Sequence, residues 1–307
     1  MKIIFFGNPD FSARCLSYLN QINNISVELV VTNKDKRMGR GLSRKMTAVK
    51  KTAIKSGNKL YEVDNLNDPS VKEKIKAICA DLFIIVGYKY IPKSIYTIAK
   101  KGSINLHASL LPKYRGASPI QYALLNGDKV TGLTTFYINE TIDEGDIIYQ
   151  LEYKISDTIT FNTLYDDLCT LSQNILLKTI SIIKTNNTDN YKILDIKSYK
   201  KAPKINKNDF IINWNKSAYD IHNQIRALSY QGAYGFYQSK RIKFYNTYFI
   251  KNTLNLNIKM FTFKNDMIYI GTADGVLSSN MIQLEGRDKI TAMDFKNVVK
   301  TKINSFD

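Results

Sequence analysis

The sequence predicts an α/β chain: a mostly parallel sheet with helices on both faces, followed by a smaller β-rich domain. Three observations carry this. Short apolar runs alternate with helix-like stretches through the first half. A polar, lysine-rich stretch containing Pro203 then breaks the pattern after residue 188. Beyond it lies a series of short strand-like pieces separated by turn signals. The expected organisation is a first domain over residues 1–188, a linker over 189–207 and a second domain over 208–307.

In chain order, Lys2–Phe6 is a buried-strand run, and Gly7-Asn8-Pro9-Asp10 is a turn that also supplies a helix cap. Phe11–Gln21 reads as helix, Val27–Thr32 as the second strand and Pro69–Cys79 as helix. Leu82–Val86 and Ser103–His107 are further apolar runs. Gly132–Ile138 and Asp146–Tyr153 read as two more strands at an antiparallel edge, and Leu164–Lys184 as a long helix. In the second domain, Asp209–Asn213 alternates and Ser217–Leu228 is helical. Arg241–Ile250, Met267–Gly271 and Met281–Leu284 are strand-like, with a turn at Ala273-Asp274-Gly275. This pattern fits a small β-barrel with one or two helices. Ligands of open parallel sheets sit beyond the strand carboxyl ends. The first turn is not Gly-x-Gly-x-x-Gly, so the dinucleotide fingerprint is absent.

Composition narrows the class. The chain has 307 residues, 44% of them apolar, enough for two cores. No run approaches the roughly 18 apolar residues of a membrane span. The chain enters its first strand almost at once, leaving no room for a signal peptide, so the expected location is cytoplasmic, away from membranes. Cys15, Cys79 and Cys169 are odd in number and widely spaced. They suggest neither disulfides nor a zinc site, and all three are expected to be packing residues. The net charge of +17 is concentrated. Nine basic residues between Val30 and Lys55 stand against the single acid Asp35, and residues 191–264 carry 14 Lys/Arg against three Asp. Two such concentrations suggest a polyanionic partner. A solvated basic face in a lysine-biased chain fits the charge as well.

Two stretches look like one reaction centre: Asn105-Leu106-His107-Ala108-Ser109-Leu110-Leu111-Pro112, running on through Arg115-Gly116, and Asp143-Glu144-Gly145-Asp146. Residues two apart on a strand share a face, so Asn105 and His107 can reach one substrate atom. An Asn amide can donate to a developing oxyanion. An imidazole can move a proton near neutrality. A carboxylate beside it, with Asp143 the natural candidate, can fix the ring. His107 is one of only two histidines; the other, His222, lies in a predicted helix and is expected to be structural. A lone strand-end histidine can equally be a structural hydrogen-bonding residue, and Asp-x-Gly is common in turns.

At these residues the chain resembles the folate-dependent formyltransferases, which share Asn-x-His-x-Ser-Leu-Leu-Pro-x-x-Arg-Gly and a downstream Asp. Within that family the resemblance is to the branch that acts on charged tRNA, and it covers nearly the whole chain. Gly7-Asn8-Pro9-Asp10-Phe11, Val31-Thr32 through Gly39-Arg40-Gly41, Arg115-Gly116-Ala117-Ser118-Pro119-Ile120-Gln121, Ile212-Asn213-Trp214, Ile225-Arg226-Ala227 and Gln283-Leu284-Glu285-Gly286 all carry it. It implies a Rossmann-like catalytic domain and an OB-like β-barrel that binds tRNA. It also implies formyl transfer from 10-formyltetrahydrofolate to the methionine amine of initiator tRNA, without a metal and by a monomer, with Asn105, His107 and Asp143 as the catalytic trio. The implied folate slot is Val86, Gly87 and Tyr88 with Ser109, Leu110, Leu111 and Pro112. The implied tRNA contacts are Lys36, Arg37, Arg40, Arg44 and Lys45 in the basic loop, with Lys204, Lys207 and Arg241 beyond it. The loop after Val86 is one residue shorter than the family's common form. Lys34, Met38 and Thr47 stand where prolines are usual. The main rival is a formyltransferase acting on an amino-sugar nucleotide, which needs the trio but no basic loop. A glycinamide-ribotide enzyme would normally end about a hundred residues earlier. A non-catalytic RNA-binding descendant would show a broken trio, and none is broken here.

Overall fold

The computed structural model describes residues 1–38, 43–185, 200–251, 254–299 and 305–307. Arg40 and residues 189–199 of the expected linker lie outside them. The chain divides into two compact units, and the division is not a single cut. The first holds residues 1–116, 132–153 and 167–201; the second holds 117–131, 154–166 and 202–307.

Along the chain come β1 (Lys2–Gly7), α1 (Asp10–Leu19), β2 (Ser26–Thr32), β3 (Lys36–Met38), β4 (Ser43–Lys45), α2 (Ala48–Lys55), β5 (Leu60–Glu62), α3 (Pro69–Ala77), β6 (Leu82–Val86), α4 (Lys93–Tyr96) and β7 (Ser103–His107). Next are α5 (Pro119–Leu125), β8 (Val130–Tyr137), β9 (Ile147–Lys154) and α6 (Phe161–Lys184). The first sheet has the order β5-β2-β1-β6-β7-β8-β9. Its pairs from β5 to β7 are parallel, and β8 runs antiparallel to β7. β1 and β6 form its centre, where Ile3, Ile4, Phe5, Phe6, Leu82, Phe83 and Ile84 are fully buried. Strands covered on both faces need unbroken apolar runs, which is why these were legible. The strand order reverses between β1 and β6, so their carboxyl ends form the crevice where such sheets take ligands. There Ser12 donates its hydroxyl to the Val86 carbonyl, and Gly87 (φ +55°) lies so close to Pro9 that an added Cβ would sit 2.6 Å from its Cγ.

The second unit contains α7 (Ala218–Ala227), β10 (Tyr234–Tyr237), β11 (Lys240–Lys251), β12 (Phe261–Lys264), β13 (Met267–Gly271), β14 (Gly275–Leu284), β15 (Lys289–Thr291) and α8 (Ala292–Val298). Its strands form one antiparallel sheet, β10-β11-β14-β13-β12, with β15 on β14. Trp214, Phe244, Phe261, Phe295 and Phe306 fill its core. The ring of Trp214 stacks on Phe306 at 5.4 Å. α5 belongs here because it packs on α7. The 154–166 segment is held by buried side chains of α7: Arg226 donates to the Ser156 carbonyl at 2.9 Å, and His222 bonds the Asp157 carbonyl at 2.8 Å.

Two expectations change. Asp209–Asn213 is not a strand. Asn206 and Asp209 form a reciprocal capping box on a 3-10 turn over Lys207–Phe210, local polar bonding that outcompetes the alternation. Cys79 is exposed, in a left-handed turn (φ +52°), because α3 ends at Ala77 and Cys79 does not continue the face that buries Val71 and Ile75. Cys15 is the opposite case: burial pushes its thiol up to about 12, with Ser172 as its partner.

Candidate active site

β7 presents Asn105 and His107 on one face, while Ile104 and Leu106, both buried, take the other. Asn105 is half-buried at a position flanked by Ile85 and Phe136 on the neighbouring strands. The His107 ring is 8% exposed. Its Nε2 lies 2.9 Å from the Tyr114 carbonyl. A carbonyl only accepts, so Nε2 carries a proton and donates. Nδ1 faces the Asp143 carboxylate, with 3.9 Å between Nδ1 and Oδ2. That gap is too long for a hydrogen bond and short enough for strong Coulombic attraction to a charged ring. The structure thus brings His107 and Asp143 together although 36 positions separate them in the chain.

Both partners of the ring are themselves fixed. Asp143 sits at φ +57°, a left-handed backbone that a non-glycine adopts at a cost. Its Oδ2 accepts from the Gly116 backbone N–H at 3.0 Å. Beside it, Glu144 pairs with Arg115. Gly145 lies against the Tyr137 backbone: an added Cβ would fall 1.5 Å from that carbonyl oxygen. On the other side, Tyr114 (φ +62°) donates its N–H to the Lys200 carbonyl at 2.8 Å, and Arg115 forms a backbone bridge with Lys201.

The 109–113 loop is held from inside. Ser109 donates its hydroxyl to Lys113 O at 2.6 Å, and Thr134 donates to Ser109 O at 2.6 Å. The Leu111 N–H donates to Thr134 at 3.0 Å, and its carbonyl accepts from Gln150 at 2.8 Å. Ser109 and Leu111 are buried, Leu110 and Pro112 half-buried. The side chains of Ser109 and Leu111 therefore build the loop, and its backbone and Pro112 are what a ligand could meet. Thr134 and Gln150 were not singled out from the sequence; nothing marks a strand Thr or Gln as a loop clamp. Along β6, Val86 is buried and Gly87 exposed. The Tyr88 ring packs edge-on to Phe6, and burial raises its phenol above the ordinary range.

In the basic region, β3 and β4 pair antiparallel, setting Lys36 across from Lys45 and Arg37 across from Arg44. Arg44 and Lys45 are exposed. Lys50 is not part of a free basic surface. Its ammonium bridges Asp35 and Glu62, both at 2.8 Å, and these carboxylates, Asp35 first, hold it above the ordinary lysine range. Lys204 and Lys207 are exposed. Arg241 is exposed but paired with Glu285 through two guanidinium nitrogens, which offsets its charge. Among the described residues, no cluster of three or more His, Cys, Asp or Glu is arranged to hold a metal ion, and no helix is long and apolar enough to cross a membrane.

Comparison with known proteins places this geometry. A family model described as formyl transferase matches residues 1–180, and one described as formyl transferase, C-terminal domain, matches residues 204–300. The chain belongs to the formyl transferase family. Methionyl-tRNA formyltransferase of Thermodesulfovibrio yellowstonii is 38% identical to this formyl transferase over 297 residues, covering 95% of this chain and 94% of its own. That of Halothermothrix orenii is 36% identical over 305 residues, covering 96% of each chain. Among solved structures, the sugar 3N-formyl transferase WlaRD, determined with dTDP and 5-N-formyl-THF, aligns with a TM-score of 0.64. It is 23% identical and covers 94% of this chain and 99% of its own, a likeness of fold.

Proposed function

We propose that this formyl transferase moves a formyl group from 10-formyltetrahydrofolate to the methionine amine of charged initiator tRNA. The relatives of this name, matched across nearly the full chain, support the acceptor. The observation that carries the chemistry is His107 Nδ1 facing Asp143 at 3.9 Å, with Asn105 on the same face of β7.

The free amine attacks the formyl carbon. As the C–N bond forms, the carbonyl oxygen becomes an oxyanion, toward which the Asn105 amide donates. The new ammonium gives up a proton and the departing folate nitrogen gains one. His107 is the carrier, taking its second proton at Nδ1, where Asp143 steadies the positive ring. Tyr114 keeps the ring from turning. Fixing both reactants on one surface removes much of the entropic barrier. The folate slot is proposed at the switch point. Gly87 offers backbone without a side chain there, and the backbone of Ser109, Leu110 and Leu111 with Pro112 lies beyond β7. Tyr88 contributes through its main chain, its ring being packed inward.

RNA binding is proposed at the β3–β4 ribbon and at Lys204 and Lys207, with Arg40 in the ribbon's connection. The exposed Arg44 and Lys45 offer their charge to a polyanion, which favours RNA over a small amine acceptor. Arg241 contributes less, since Glu285 holds it. The reading extends to a cytoplasmic monomer with catalysis in residues 1–188 and RNA grip in 208–307. A formylation assay with charged initiator tRNA, charged elongator tRNA and an amino-sugar nucleotide tests it. Transfer to the sugar amine and not to initiator tRNA would sink it. tRNA affinity is expected to fall steeply with salt, and Arg44→Ala with Lys45→Ala to lower the slope of log affinity against log salt by about two.

A further inference from the structure

We infer that Arg115 and Glu144 are a positioning pair that holds Asp143 against His107. The inference rests on the catalytic reading proposed for the trio. Asp143 occupies a left-handed backbone (φ +57°), which a neighbouring contact has to hold in place. Its own carboxylate is anchored by the Gly116 N–H at 3.0 Å. One residue on, the Glu144 carboxylate takes the Arg115 guanidinium. That pair is largely withdrawn from water, with side-chain exposures of 13% for Arg115 and 24% for Glu144. Consecutive residues of one loop, 115 and 116, thus grip consecutive residues of the other, 144 and 143.

The same loop governs the far side of the ring. Tyr114, next to Arg115, supplies the carbonyl on Nε2 and is tied to Lys200. Residues 114–116 therefore set both neighbours of the imidazole: the acceptor at Nε2 directly, and the carboxylate at Nδ1 through the two grips. Arg115 is committed to Glu144, which distinguishes it from the exposed Arg44 and Lys45 of the ribbon. Cutting the ion pair leaves Asp143 held by the Gly116 bond and free to widen the 3.9 Å gap.

The test is steady-state kinetics on the full-length Arg115→Ala, Glu144→Gln, double, Arg115→Lys and Asp143→Asn proteins, with the pH profile of kcat. A displacement of about 1 Å at a reacting group costs on the order of a hundredfold, so Arg115→Ala and Glu144→Gln are each expected to lower kcat by about 10- to 100-fold. KM for folate and for tRNA should stay within about threefold, and the double variant should be no worse than either single one. Arg115→Lys should recover part of kcat, and the pH profile of Arg115→Ala should move toward that of Asp143→Asn. If Arg115→Ala does not fold, the near-isosteric Glu144→Gln and the swapped pair Arg115→Glu/Glu144→Arg carry the test. A kcat within twofold of the parent, additive losses, or a raised tRNA KM with kcat intact would each overturn the inference, the last by making Arg115 an RNA contact. Unchanged kcat in Asp143→Asn would instead overturn the catalytic reading itself. Loss in Asp143→Asn without loss in Arg115→Ala would remove only the positioning role.

Discussion

His107 and His222 are the only two histidines of the chain, and they differ in one respect. Both are buried, at 7% and 4% exposure, and both give one ring nitrogen to a backbone carbonyl. The second nitrogen of His222 meets the Thr247 hydroxyl at 2.9 Å. That of His107 meets a carboxylate 3.9 Å away. The first ring is satisfied and neutral in place. The second retains a nitrogen with no hydrogen bond and a negative charge in front of it. Burial and a carbonyl partner therefore do not separate the two rings; what faces the other nitrogen does.

The largest effect that could break this comparison is His107→Ala. Loss of a general acid–base group typically costs 10²- to 10⁴-fold, so turnover should fall by about that much with the circular dichroism spectrum unchanged. Near-normal turnover would make the two rings equivalent. Asp143→Asn comes next: it keeps the shape and removes the charge. Turnover should drop by about 10- to 100-fold, less than for the ring itself, by analogy with other preorganised polar groups. His222→Gln should leave kcat within about twofold and lower the thermal midpoint, read by calorimetry, because the Asp157 carbonyl and Thr247 lose their partner. A large kcat effect there would erase the distinction.

The smallest effect is on the pH dependence of stability. Burial lowers the pKa of His222, with Arg226 opposing protonation as well, while the Asp157 and Thr247 oxygens favour it. The unfolded chain then binds a proton that the native one refuses. The native state keeps its full advantage above the ordinary histidine value of about 6.5 and loses it as pH falls below that, by at most about 1.4 kcal/mol per pH unit for one proton. Denaturant melts between pH 7.5 and 5 on parent and His222→Gln should show the parent losing more. Equal losses would place the proton uptake elsewhere.

Much of this was legible in the sequence, for identifiable reasons. Leu82–Val86 is an uninterrupted apolar run because its strand is buried throughout, Ser103–His107 alternates polar and apolar residues, and the bounds of the two coincide with β6 and β7. Asn105 and His107 share a face by strand periodicity alone. The β3–β4 pair was not legible, since four of its six residues are charged and the sequence shows no apolar alternation. α4 and α5, of four and seven residues, are too short to show a helical period. α2 opens on Thr47 in the middle of the lysine-rich loop, and its period is masked by charge. Lys50 counted as one more loop cation because nothing in the sequence brings Glu62 near it. The Tyr114 carbonyl escaped for a deeper reason: it is a main-chain contact, and every residue has a carbonyl.

Gly145 carries a last consequence. Its neighbours Asp143, Glu144 and Asp146 bring charge to the loop, and it brings only room. With a carbonyl oxygen 1.5 Å from where a methyl group would stand, even alanine, the mildest of replacements, has nowhere to go. In a library of random codons at this position glycine alone should survive selection, for a reason of elbow space and not of reactivity.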